Sequence, residues 1–387
     1  MGYFPAEQGP AGVLHPPLRH MRSVIGNRQS HGQVVYYEGY TPAMKAAIVY
    51  GPRDVRVETV EDPSPRDDEI LVKVRTCGIC GTDAHTYKTG GTASPQKPVI
   101  LGHEFSGEVA EVGRAIKGLK AGDRVLGTGY RNCGDCYWCR QGQPYRCPNP
   151  TVPGEGLPGA FAEYVIIPNP MLGMMLFHLP EGMDWEEAAT VEPLAVACHA
   201  VRRARIQAGE TVVVLGAGMI GQLVAQACRA AGASRIIVSE PSATRLAMAS
   251  KLGADVAINP REKDPVEAVR EATAQQMADV VFECSGAPAA FRQAGHMVRA
   301  YGRIMQVGMF EQDLQLSPEL MSLMFQFRNV TLRGCGGQRW DMALDLMRAG
   351  QVRTTDLITH RFPLNQVREA FNAQLNSDDA IKVLVKP

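Results

Sequence analysis

The chain has 387 residues, which at roughly 150 residues per domain points to two domains rather than a single core. It is 45% hydrophobic and 21% charged, and its 40 basic and 40 acidic residues cancel, which argues against disorder and against a nucleic-acid surface. No run approaches the roughly 20 apolar residues that span a bilayer, and the most apolar one, Met171 to Phe177, lies between Pro170 and Pro180.

Residues 1–43 are rich in Gly, Pro and His with little aliphatic periodicity, and read as a flexible extension outside the first core. They contain no basic segment leading into an apolar stretch, so a cytoplasmic location is expected. From Met44 to about Gly129, short runs bounded by turns predict strands over 44–49, 70–75, 105–112 and 123–126. This β-rich portion holds Cys77-Gly-Ile-Cys80-Gly-Thr82-Asp83-Ala-His85 and then Leu101-Gly-His103-Glu104-Phe. A C-x-x-C pair alone fits a redox couple or half of a zinc ribbon. The second run adds an imidazole and a carboxylate, and such donors suit zinc, with fewer than four protein ligands leaving a place for water or an alcohol.

Residues 130–160 lose all periodicity. Cys133, Cys136, Cys139 and Cys147 follow the spacing C-x2-C-x2-C-x7-C, which folds four thiolates around one tetrahedral zinc. Such a closed site has no position for substrate, so its expected role is to fold the lobe at 130–150. The other four cysteines, Cys198, Cys228, Cys284 and Cys335, lack partners at ligand spacing and read as buried thiols.

A helical pattern runs from Asp184 towards Arg205, and strands then alternate with helices: strand 211–215, helix 219–231, strand 235–239, helix 243–252, strand 255–258 and helix 264–276. Further strands are expected at 279–283, 303–307 and 329–333. This is the α/β pattern of a parallel, doubly wound sheet. Gly216-Ala-Gly218-Met219-Ile220-Gly221 directly follows the strand Thr-Val-Val-Val-Leu and opens a helix. The three glycines serve a tight turn, a close approach to a pyrophosphate and helix packing, and the helix N-terminus attracts the anion. Glu240 ends the next strand, where a carboxylate accepts from ribose hydroxyls and repels a 2'-phosphate, favouring NAD over NADP. Arg245 softens that repulsion or is simply a solvated charge on a helix face.

In this order, the Cys77–Asp83 motif, Gly102-His-Glu, the four-cysteine lobe and the Gly216 loop closely resemble the zinc-dependent medium-chain alcohol dehydrogenases. The resemblance runs from about Met44 to the C-terminus. Val191-Glu192-Pro193-Leu194-Ala195-Val196, followed by His199, looks most like the branch oxidising polyols and vicinal diols.

The resemblance implies a β-rich, GroES-like catalytic domain over 44–195 and 335–387, interrupted by a Rossmann domain over 196–334, with the active site in the cleft between them. It implies that Cys80 and His103 bind a catalytic zinc, that Cys77 does not, and that Glu104 or Glu192 takes the remaining place, Glu104 being favoured. It also implies that Thr82 accepts the alcohol proton and passes it by way of the cofactor ribose to His85, which releases it to solvent. Asp83 is expected to hold His103 in one tautomer, and Val307 and Gly308 to pass near the nicotinamide. The expected partners are a small alcohol and further copies of the chain, as a homodimer or homotetramer. Two other readings are a threonine 3-dehydrogenase-like enzyme and, from another class, a zinc-ribbon interaction protein pairing Cys77 and Cys80 with Cys133 and Cys136.

Overall fold

The computed structural model describes residues 43–387 apart from Thr92, Pro95, Pro144, Tyr145 and Glu155. The expected extension over 1–43 lies outside the described residues, except that Ala43 already opens the first strand. No helix among the described residues is long and apolar enough to cross a membrane.

The first half is built on strands. β1 (Ala43–Gly51) and β2 (Asp54–Glu61) form an antiparallel hairpin. β3 (Glu69–Gly78) follows, then α1 (Gly81–Thr89), β4 (Glu104–Val112) and β5 (Arg124–Gly127). The cysteine lobe holds the short α2 (Tyr137–Arg140), and beyond it come the small pair β6 (Val152–Pro153) and β7 (Gly156–Leu157), then β8 (Tyr164–Pro168) and β9 (Leu176–His178). β3 pairs with β4 along one edge, while β8 takes the start of its other edge. With neighbours on both sides, its Ile70-Leu71-Val72 run is fully buried on both faces.

One helix was expected over 184–205, and two are found: α3 (Trp185–Ala189), capped by the Asp184 side chain, and α4 (Val191–Ala204). The cause is Pro193, which has no N–H to donate and whose ring would strike the Ala189 carbonyl in a continuous helix. The chain therefore restarts at Val191 with Pro193 in the first turn.

The second half alternates as the pattern predicts. Its elements are β10 (Thr211–Leu215), α5 (Met219–Ala230), β11 (Arg235–Ser239), α6 (Ala243–Lys251), β12 (Val256–Ile258), α7 (Pro265–Ala272), β13 (Ala278–Glu283), α8 (Pro288–Met297), β14 (Val298–Gln306), α9 (Pro318–Met321) and β15 (Thr331–Gly334). α7 ends four residues before its expected limit because Ala274, Gln275 and Met277 all take positive φ. The six strands are parallel in the order β12-β11-β10-β13-β14-β15, so the winding reverses between β10 and β13. Alternate residues of β10 feed different cores: Val212 and Val214 pack with α4 and α5, and Val213 and Leu215 with α7 and α8.

After α10 (Trp340–Arg348) the chain returns to the first sheet. β16 (Ile358–Pro363), α11 (Val367–Asn376) and β17 (Lys382–Lys386) complete it, β17 pairing with β3 at Cys77 and Gly78 beyond the end of β8. Phe371 of α11 locks this return in place. Its ring stacks on Tyr87 of α1 at 4.6 Å between centroids and meets Phe161 edge-on at 5.6 Å. Phe371→Ala removes both contacts from a fully buried position and is expected to lower stability by about 3–5 kcal/mol in urea unfolding.

Candidate active site

The metal-type donors meet where β3, α1 and β4 converge. Cys80 caps the N-terminus of α1, and Gly102, at φ +100°, turns the chain so that His103 and Glu104 enter β4. A side chain at Gly102 would press on Cys77 Sγ at 2.9 Å and Phe161 N at 3.0 Å, so only glycine fits that turn. One ligand atom each from Cys80, His103 and Glu104 lies within 4.8 Å of the others. Cys77 stands apart, fully buried, with its thiol pushed up by burial.

Asp83 organises this group. Its Oδ2 accepts from Cys80 N at 3.0 Å and its Oδ1 from Gly102 N at 3.2 Å, so one buried carboxylate ties both donor segments together. Oδ1 also faces His103 Nδ1 at 3.5 Å. Burial alone would push the His103 imidazole down, but Asp83 and Cys80 beside it more than offset this and hold it well above its ordinary value.

The two carboxylates that compete for the remaining place differ in their partners. Glu104 Oε2 accepts from Lys382 Nζ of β17 at 2.6 Å, in a pair with side chains only 2% and 3% exposed, and Lys382 also donates to Ile79 O at 2.9 Å. Glu192, in the first turn of α4, accepts from Gln338 Nε2, and Gln338 Oε1 accepts from Trp340 Nε1 at 3.0 Å. Burial pushes the Glu192 carboxyl up to about 7. Glu192 lines the same cleft but stands outside the three-donor group.

The glycine loop lines that cleft from the other side. Gly216 has φ +94°, and a side chain at Gly221 would lie 1.9 Å from Gly216 O, whereas Gly218 has open space beside it. The loop is therefore tight on the protein side and open on the cleft side, the cradle a pyrophosphate needs. Met219, Ile220, Arg245 and Val307 also line the cleft, whose volume is about 1920 Å³. That exceeds the roughly 300–1,000 Å³ of an ordinary ligand pocket and leaves room for a dinucleotide beside a substrate.

Glu240 differs from expectation in its bonding. Its Oε2 accepts from Ala217 N at 2.7 Å and its Oε1 from Ser242 N at 2.9 Å, so it braces the glycine loop directly. Arg245 is not simply a solvated charge on a helix face: it is partly buried, and its guanidinium donates to Ser377 O at 3.2 Å. Thr82 is exposed on the cleft wall, and His85 Nδ1 lies 3.0 Å from Glu311 Oε1.

The lobe forms a second cluster. Ligand atoms of Cys133, Cys136, Cys139 and Cys147 all lie within 4.8 Å of one another. Zinc–sulfur bonds of about 2.3 Å place tetrahedral sulfurs about 3.8 Å apart, and the Cys133 Sγ separations of 3.4 Å to Cys147 and 4.0 Å to Cys139 bracket that value. Backbone N–H groups of Asp135 and Cys136 pull the Cys133 thiol down to about 6, towards the thiolate a metal requires. The zinc-ribbon pairing of Cys77 and Cys80 with this lobe does not form.

Lys382, Gln338 and Glu311 are site residues that sequence reasoning missed. Only Lys382 left a trace, as a lone charge inside the apolar run Ala380-Ile381-Lys382-Val383-Leu384-Val385.

A sulfur, imidazole and carboxylate donor set facing a dinucleotide cradle across one cleft defines a metal- and nicotinamide-dependent oxidoreductase. Comparison with known proteins agrees. Residues 66–181 match the alcohol dehydrogenase GroES-like domain, and residues 220–349 match the zinc-binding dehydrogenase domain. The sorbitol dehydrogenase of Bacillus subtilis is 34% identical over 359 residues, covering 89% of this chain and 97% of that protein. The solved structure of 2R,3R-butanediol dehydrogenase from Bacillus subtilis is 32% identical, with a TM-score of 0.78 over 89% of this chain and 99% of that one. A putative zinc-binding dehydrogenase from Sinorhizobium meliloti, bound to NADP, is 33% identical with a TM-score of 0.80 over the same shares, 89% and 99%. The chain belongs to the zinc-dependent medium-chain alcohol dehydrogenases, enzymes that act on a CH–OH group.

Lys382→Met leaves the Glu104 charge buried without its partner and is expected to cost about 3–5 kcal/mol of stability by denaturant titration. Adding Glu104→Gln to Lys382→Met removes the stranded charge, and the double variant is expected to recover part of the loss.

Proposed function

We propose that the enzyme oxidises a secondary alcohol of a polyol or vicinal diol to a ketone, with NAD as hydride acceptor. The observation that carries this is the Cys80, His103 and Glu104 donor group, which lines one cleft with the Gly216–Gly221 loop. The likeness to sorbitol and butanediol dehydrogenases supports the substrate class. Glu240 beside the glycine loop supports NAD, since its carboxylate disfavours a 2'-phosphate.

We assign one zinc to Cys80, His103 and Glu104, with Glu192 beside it, and a second to the four-cysteine lobe. We assign residues 44–195 and 335–387 to the catalytic domain and 196–334 to the nucleotide-binding domain. The assembly is a homodimer or homotetramer, for which the exposed side chains of Tyr301 and Phe327 offer apolar surface.

Cys80, His103 and Glu104 would hold a zinc ion, which when bound would supply Lewis acidity towards the substrate hydroxyl. NAD supplies the hydride acceptor, and the reaction yields the ketone, NADH and one proton. The chain's own residues orient the alcohol and move its proton. Asp83 fixes the backbone of both donor segments and keeps His103 facing its carboxylate. Glu192, with its carboxyl near 7, hydrogen-bonds a second hydroxyl of the substrate as donor or acceptor. Thr82 accepts the alcohol proton, and His85 passes it to solvent.

The test follows NADH formation by the zinc-loaded protein with 2,3-butanediol, sorbitol, other polyols, threonine and simple alcohols, with NAD and NADP in parallel. Turnover of a diol or polyol with NAD is expected, and turnover confined to threonine or a simple alcohol discards the substrate class. Cys80→Ala is expected to lower kcat/KM roughly a thousandfold, the loss of several kcal/mol of charge stabilisation. Wild-type turnover by that variant discards the metal assignment. Metal analysis is expected to find two zinc ions per chain, and Cys139→Ser to reduce this to one.

A further inference from the structure

We infer that Glu311 is a positioning residue that reaches across the cleft to orient His85 for proton release. The inference rests on the relay proposed above and deepens it.

His85 and Lys88 lie on α1, in the β-rich half, while Glu311 follows β14 in the parallel-sheet half. Glu311 Oε1 is 3.0 Å from His85 Nδ1, and its Oε2 accepts from Lys88 Nζ at 2.8 Å. Both oxygens of one carboxylate are thus engaged by a single helix on the opposite wall of the cleft.

The base that presents Glu311 is firmly held. Val307 N and Gly308 N both donate to Glu283 O at 2.9 Å, and Gln306 Nε2 donates to Gly308 O at 2.7 Å. A side chain at Gly308 would lie 2.3 Å from Gly286 N, so the strand end is packed without slack three residues before Glu311.

Stability alone does not account for the contact. Its side chains are 38% to 45% exposed, and ion pairs of that kind contribute at most about 1 kcal/mol each. What the contact fixes is chemistry. A carboxylate accepting from Nδ1 selects the tautomer with hydrogen on Nδ1 and leaves Nε2 free to accept a proton. When the proton from the alcohol reaches Nε2, the imidazolium is paired with Glu311 until water removes that proton. Lys88 and His85 hold the Glu311 carboxyl below its ordinary value, so it stays ionised and takes no proton itself. Because the segment bearing Glu311 also carries Val307 on the cofactor side, the relay is aligned only when the two walls stand in register.

The test uses zinc-loaded enzyme with NAD and the best alcohol of the panel, and compares His85→Ala, Glu311→Ala, Glu311→Gln and the His85→Ala/Glu311→Ala double variant. Glu311→Ala is expected to lower kcat roughly 5- to 20-fold, part of the roughly 100-fold a general base contributes, with KM for the alcohol unchanged within about twofold. Free imidazole at tens of millimolar is expected to restore most of the loss in Glu311→Ala and in His85→Ala. Glu311→Gln keeps an acceptor oxygen and is expected to fall between Glu311→Ala and wild type. The double variant is expected to be no slower than His85→Ala alone. Wild-type kcat in Glu311→Ala alongside an impaired His85→Ala overturns the inference and leaves the relay standing, as do losses that multiply in the double variant. An unimpaired His85→Ala overturns the relay and the inference together.

Discussion

The buried pair of Lys382 and Glu104 is the contact on which the β-rich half turns. A carboxylate removed from water needs a partner, and this one stands next to a thiol and an imidazole. Lys382 supplies the opposite charge and also satisfies the Ile79 carbonyl, directly before Cys80. One ammonium group therefore anchors both segments that carry the donors. Lys382 reaches them because β17 continues the edge of β3 that β8 leaves open.

From that anchor the remaining geometry follows in order. β3 ends at the donor group, α1 carries Thr82 and His85 away from it along the cleft, and β4 begins with Glu104. On the facing wall the reversal between β10 and β13 opens the crevice where parallel sheets bind nucleotides. α4 joins the two halves. Its first turn holds Glu192 on the cleft, outside the three-donor group, and its remainder packs into the core beneath β10.

Most of the parallel half was legible in the sequence. Its first two strands hold apolar runs, Val212-Val213-Val214-Leu215 and Ile236-Ile237-Val238, and β10 and β11 fall on their expected residues. The two donor clusters were legible because their members lie close along the chain. The helix break before Pro193 was also readable in principle, from the clash that proline makes with the preceding turn. What escaped was contact over long separations. Lys382 lies 278 residues from Glu104, Gln338 lies 146 from Glu192, and Glu311 lies 226 from His85. No local pattern couples such positions, because they depend on how strands from distant segments become neighbours. Glu240 and Arg245 show a related limit: residue type and spacing suggested charge chemistry, while their actual partners are backbone groups set by packing.

The lateness of β17 orders events during synthesis. The four lobe cysteines span 133–147 and emerge together, so their cluster can close while the rest of the chain is still being made. The other donor group is different in kind. Cys80, His103 and Glu104 appear early but wait for Lys382, which follows Glu104 by 278 residues. Until β17 has been made and has paired with β3, Glu104 lacks the Lys382 counter-charge and β3 keeps part of its edge open. A nascent chain can thus close its four-cysteine cluster well before the Cys80, His103 and Glu104 group is complete, and a chain lacking β17 would carry the first without a finished second.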